Sequence, residues 1–173
     1  MTIVIGVDPG TVKMGVGVIR VWAAAGAGLF RTAGRMEFVR GELLEAPKSW
    51  GLASRLNELN QDLIGICDEL LVKGGPSDVV LCGLEEGFRG GMGDLSLAEA
   101  RGVARVTLAR SFGEKNLRGY APSTVKKAVA CSGRAEKAVI PRMVAALLRM
   151  KTPPQADIAD ALAVAITRAM DKE

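Results

Sequence analysis

Short apolar stretches occupy the start of the chain, and a helical period takes over from Leu52. Residues 3–8, Ile-Val-Ile-Gly-Val-Asp, read as a buried strand running into the turn Asp8-Pro9-Gly10. Residues 15–21 alternate again, which predicts a hairpin partner for the first strand. Residues 23–34, rich in Ala and Gly, read as loop, and residues 36–40 as a third strand at the sheet edge. Leu52, Leu56, Leu59, Leu63, Ile66 and Leu70 then make one apolar stripe on a helix that Gly74-Gly75-Pro76 ends. Residues 79–84 predict a central strand that delivers Glu85-Glu86 at its carboxyl end.

Residues 87–93 hold four glycines and read as a loop, after which Asp94 caps a helix over 94–112. That helix carries two apolar stripes, Leu95-Ala98-Gly102-Val106-Ala109 and Leu97-Ala104-Leu108. One suits packing on the sheet and the other packing on a second subunit. Residues 117–120 predict a short strand, and Pro122-Ser123 opens a helix that Ser132-Gly133-Arg134 breaks. A helix over 135–150, stopped by Pro153-Pro154, and an alanine-dense helix over 157–170 complete the pattern. With no internal repeat, the expectation is a single α/β domain over residues 1–173.

The chain has 173 residues, of which 49% are hydrophobic and 24% charged, and this usage excludes intrinsic disorder. It has no histidine, which removes Ser-His-Asp and Cys-His catalysis together with imidazole-ligated zinc. Cys67, Cys82 and Cys131 are scattered, so neither a disulfide framework nor a zinc ribbon is expected. The amino terminus lacks a basic region before its apolar run, and no stretch reaches the length of a membrane span. A cytoplasmic protein with no membrane association is the expectation. Residues 1–86 hold 8 basic and 11 acidic side chains, whereas residues 87–173 hold 15 and 8. A basic second half points to a polyanionic partner, with nucleic acid first among them.

Four acids stand among apolar neighbours. Asp8 and Glu85 each end an apolar run, and Asp157 and Asp160 share one face of the last helix. Small residues at 159, 161, 163 and 165 let that helix approach the sheet closely. If the first and fourth strands are neighbours, the four carboxylates gather around one point and need a compensating cation. Oxygen-only ligation favours magnesium or manganese, and a pair of ions about 4 Å apart suits phosphodiester hydrolysis. Taken singly, Asp8 also fits a plain turn residue, and Asp157 a helix amino-terminal acid. Lys126-Lys127 fits a solvated helix face as well as a phosphate contact, and Phe88 fits a core position under its loop. Arg134 and Lys137 at the start of a helix suggest an anion there.

Several motifs in order give the chain a wider likeness. They are Ile5-Gly-Val-Asp-Pro-Gly-Thr11 with Gly15-Val-Gly-Val-Ile19, then Leu84-Glu85-Glu86-Gly-Phe88, then Glu99-Ala-Arg-Gly-Val-Ala104. Tyr120-Ala with Val125-Lys126, Ala135-Glu-Lys137, and the run from Asp157-Ile-Ala-Asp160 to Thr167 follow. Together these resemble the RuvC-type Holliday junction resolvases of the ribonuclease-H-like superfamily. The resemblance implies a mixed five-stranded sheet flanked by helices and a homodimer that nicks symmetric strands of four-way DNA junctions. It implies that Asp8, Glu85, Asp157 and Asp160 are the catalytic acids, binding Mg2+ or Mn2+ as two ions per site. Lys126 and Lys137 become cleavage-supporting phosphate contacts, and Phe88 an aromatic wedge at the junction centre. Arg89, Lys127 and Arg134 join the expected DNA-binding set, and a branch-migration motor is a possible further partner. The chain departs from the family pattern in a longer stretch at about residues 22–50 and in Glu86, a second acid.

Three rivals stand beside this reading. An actin-like ATPase shares the look of Asp8-Pro-Gly-Thr11, but needs two such domains. A relative acting on structured RNA, and a clamp that binds branched DNA without cutting it, differ in substrate and turnover.

Overall fold

Alternation near the amino terminus produces three consecutive antiparallel strands: β1 (Thr2–Asp8), β2 (Lys13–Val21) and β3 (Met36–Glu45). The computed structural model describes residues 1–22, 35–73, 79–87 and 95–171. The loops expected at 23–34 and at 88–93, and the Asp94 cap, lie outside these residues. Helix α1 (Leu52–Lys73) follows, then β4 (Val79–Glu85), α2 (Leu95–Phe112) and β5 (Leu117–Tyr120). The chain continues through α3 (Pro122–Ala130), α4 (Ile140–Leu147) and α5 (Ala156–Met170). The strands form one mixed sheet in the order β3-β2-β1-β4-β5, with β4 parallel to both β1 and β5. This is the five-stranded, helix-flanked sheet that the resemblance implies.

Period-two alternation divides the sheet into two cores. Ile3, Ile5, Val7, Met14, Val16, Val18, Cys82 and Leu84 point to the side of α1 and α2, where Leu59, Leu63, Ala104 and Leu108 meet them. Val4, Ile19 and Leu81 point to the other side, against Leu162, Val164 and Ile166 of α5. Helix α5 is enclosed by the sheet on one side and by α3 and α4 on the other, so residues 161–169 are all buried. That is why its sequence is apolar around almost its whole circumference.

Close approach of α5 depends on what lies beneath it. A methyl group at Gly6 of β1 would collide with the backbone of Ala161 and Ala165, and one at Gly15 of β2 with the carbonyl of Asp157. At the far end of α5, Tyr120 Oη donates to Asp171 Oδ2 at 2.7 Å and Arg118 Nη1 donates to the same oxygen at 2.9 Å. The turn after β1 is fixed as well. Arg55 Nε of α1 donates to the carbonyl of Thr11 at 2.9 Å, and Ala46 N donates to that of Val12 at 2.8 Å.

Two expectations are corrected. Strand β3 runs to Glu45 rather than stopping at residue 40, because it pairs with β2 along its whole length, from Val21↔Met36 to Lys13↔Glu45. The helix expected over 135–150 is only Ile140–Leu147, preceded by a 3-10 turn at Lys137–Val139. Pro141 explains the late start: its ring is accommodated in the first turn of a helix and not in the interior.

Gly6→Ala is expected to cost about 2 kcal/mol or more, because backbone rather than a flexible side chain must move. Gly65→Ala on α1, where a Cβ meets nothing within 4 Å, is expected to gain about 0.5–1 kcal/mol. Urea denaturation of the two variants checks both signs.

Candidate active site

Parallel pairing of β1 with β4 sets Val7 opposite Leu84, so Asp8 and Glu85 follow as the next residues at the carboxyl ends of adjacent strands. Alternation puts both side chains on the α5 face. Asp157 in the first turn of α5 and Asp160 one turn on complete the group, held over the strand ends by the Gly15 contact with Asp157. The sequence-predicted acids are therefore brought together.

Burial dominates their electrostatics. Loss of hydration, followed by the charges of Asp160 and Asp157, pushes Asp8 up to about 6. Loss of hydration, followed by Asp8 and Asp160, pushes Glu85 up to about 7. Asp160 is also raised, chiefly by burial, with Lys137 pulling in the opposite direction.

Cations surround the acids from two sides. Lys137 Nζ stands 3.6 Å from Asp160 Oδ2, and a cavity of about 200 Å³ is lined by Glu85, Lys126, Lys137 and Asp160. Lys126 is thus drawn to the acids, while its neighbour Lys127 is exposed and does not line the cavity. Arg134 is exposed in the turn before the 3-10 segment, its amide donating to Ser132 Oγ at 3.3 Å. Arg134 and Lys137 do not stand at the start of a long helix as expected, because a 3-10 turn at Lys137–Val139 precedes α4, which begins at Ile140. Phe88 and Arg89 lie outside the described residues.

Two residues of this region carried no role in the sequence reading. Arg101 of α2 exerts its charge on both Asp8 and Glu85 from the side opposite the lysines. An arginine inside the Glu99-Ala-Arg-Gly motif of a helix was the available signal. Glu86 points away from the acids, beside Gly119, and pairs with Arg105 of α2. The second acid is therefore tied to α2.

The side chains gathered here offer carboxylate oxygens, the donors that suit a hard divalent cation. As the side chains stand, no group of three acids among the described residues is close enough to hold an ion. Cation binding therefore requires the carboxylates to draw inward. Among the described residues no helix is long and apolar enough to cross a membrane.

The family model of crossover junction endodeoxyribonuclease RuvC matches residues 4–168. The chain belongs to the RuvC family. A RuvC from Azorhizobium caulinodans is 38% identical over 96% of this chain and 88% of its own length. One from Methylocella silvestris is also 38% identical, over 96% and 85%. The structure of Thermus thermophilus RuvC has a TM-score of 0.73 at 24% identity, covering 95% of this chain and 92% of that one. T. thermophilus RuvC in complex with a Holliday junction substrate matches with a TM-score of 0.71 at 26% identity, over 96% and 92%. RuvC proteins are metal-dependent nucleases, and this member is accordingly a hydrolytic endonuclease.

The raised values of Asp8 and Glu85 have a measurable consequence. A carboxyl held above its ordinary value binds its proton more tightly folded than unfolded. Its stabilising contribution is present below the ordinary values of 3.8 and 4.5 and is lost as pH rises through about 6 and 7. An Asp8→Asn/Glu85→Gln double variant does not titrate there. Without divalent metal, it should match the parent near pH 4 and exceed it by about 2 kcal/mol or more at pH 8. A difference that stays constant across urea titrations at these pH values would remove burial as the cause.

Proposed function

We propose that this RuvC member resolves four-way DNA junctions by paired nicking of symmetric strands, with Asp8, Glu85, Asp157 and Asp160 as its metal-binding acids. The observation that carries this is the convergence of Asp8 and Glu85, pushed up by burial, with Asp160 under an α5 seated on the sheet. Two Mg2+ or Mn2+ ions would supply activation of a water and stabilisation of the leaving oxygen. Asp8, which feels the charges of Asp160 and Asp157 and bears on Glu85, would be the ligand shared by both. Lys137 and Lys126 hold positive charge beside Asp160 and Glu85, where an incoming phosphate meets its first counter-charge.

Paired nicking needs two sites in one particle, and α2 supports a homodimer. Its sheet-facing stripe is Ala100, Ala104, Leu108 and Phe112. The opposite stripe leaves Leu95 80% and Val106 56% exposed, beside a groove of about 840 Å³ shared with α1. An apolar patch of this kind on a helix marks an association surface. A branch-migration motor remains a partner to be sought by reconstitution with the junction.

The deciding assay is nicking of a labelled four-way junction in magnesium, against linear duplex and structured RNA. Paired symmetric nicks are expected on the junction, and sedimentation of the same sample should give twice the monomer mass. Asp8→Asn should bind the junction as the parent does and nick at least a thousandfold more slowly. Preferential RNA cutting would move the substrate to RNA, and binding without nicks in magnesium or manganese would make the chain a clamp.

Charge reversal at Lys126 or Lys137 should flatten the salt dependence of junction binding by about one unit of log–log slope, since fewer counterions are released. An unchanged slope would take that lysine off the phosphate.

A further inference from the structure

Helix α2 passes the end of β4 with two arginines one turn apart. Arg105 pairs with Glu86, the residue after the strand. Arg101 lies over the next residue: a Cβ at Gly87 would stand 2.6 Å from its Nη1 and 3.0 Å from its Cζ. Arg101 Nε is buried and makes no hydrogen bond among the described residues. Such a group is costly to leave inside a protein unless its charge is used. Its charge bears on Asp8 and on Glu85, the two acids on which Lys137 and Lys126 also act respectively.

We propose that Arg101 is a positioning residue for Glu85. With Arg105 it grips Glu85-Glu86-Gly87 from α2 and sets the direction in which the Glu85 carboxylate is presented to metal. The guanidinium occupies the place that a side chain at position 87 would take, so a methyl group there would push it aside. The inference rests on Glu85 being a metal ligand. It goes further in making α2, the helix with the exposed apolar stripe, the support of that ligand.

The test compares Arg101→Gln, Arg101→Lys, Gly87→Ala and the Gly87→Ala/Arg101→Gln double variant, as full-length protein. Gly87→Ala displaces the guanidinium without removing any charge. Two readouts are taken: the magnesium concentration giving half of the metal-induced rise in melting temperature, and the single-turnover nicking rate on a bound junction. Arg101→Gln and Gly87→Ala should each raise the half-saturating magnesium at least threefold and slow nicking about tenfold, with junction affinity within twofold of the parent. Arg101→Lys should recover part of the rate. The double variant should be no worse than either single one, because both remove the same contact.

Half-saturation that is unchanged or tighter in Arg101→Gln would overturn the proposal, since a charge that merely repelled metal would give the tighter result. Multiplying effects in the double variant would also overturn it, as would junction affinity falling in step with the rate. If the parent protein fails to nick any junction, the proposed function fails first, and the magnesium readout still decides the role of Arg101.

Discussion

The close seating of α5 on the sheet is the constraint from which the rest of the site follows. Glycine on β1 and β2 and alanine on α5 remove the side chains that would hold helix and sheet apart. Only then can Asp157 and Asp160, on a helix, share a small volume with Asp8 and Glu85, on strands. The same closeness deprives the carboxylates of water, which pushes Asp8 up to about 6 and Glu85 up to about 7. Packing and chemistry are set by one contact, and neither can be relaxed without the other.

Compensation for that concentration of charge is divided among elements that arrive from different directions. The 3-10 turn brings Lys137, α3 brings Lys126, and α2 brings Arg101. None of the three belongs to the elements that carry the acids. The acids therefore sit at a meeting point of β1, β4 and α5, and the basic groups define its rim. A metal-dependent nuclease needs this arrangement, since the phosphate to be cut is itself an anion and must approach a cluster of anions.

Much of this was legible in the sequence because it is local. Strand alternation, the Leu52–Leu70 stripe and the spacing of Asp157 and Asp160 are periodic signals that survive without tertiary context. The four acids were legible because carboxylates at the ends of apolar runs are costly unless they are used. What was not legible depends on pairing at long range. Strand β3 continues through Gly41 to Glu45 because β2 offers it a partner, not because those residues alternate strongly. By charge and helical period alone Lys126 and Lys127 are alike, and the rotation of α3 decides which one lines the cavity with Glu85. Pro141 is a local signal that competes with the apolar period around it, and in the folded chain the proline sets where α4 begins.

Strand β3 is also an end of the sheet, ten residues long, with Phe38 37% and Val39 38% exposed. Among the described residues no strand pairs with its outer side, and an edge of that length and apolarity is a template on which another chain can add a strand. Along it stand Glu37, Arg40, Glu42 and Glu45, with Arg40 held to Glu42 and Glu69 and Glu45 held to Lys13. A strand arriving from a second molecule would have to desolvate these ion pairs before it gained a hydrogen bond. That cost opposes the growth of the edge into an open-ended ribbon of copies.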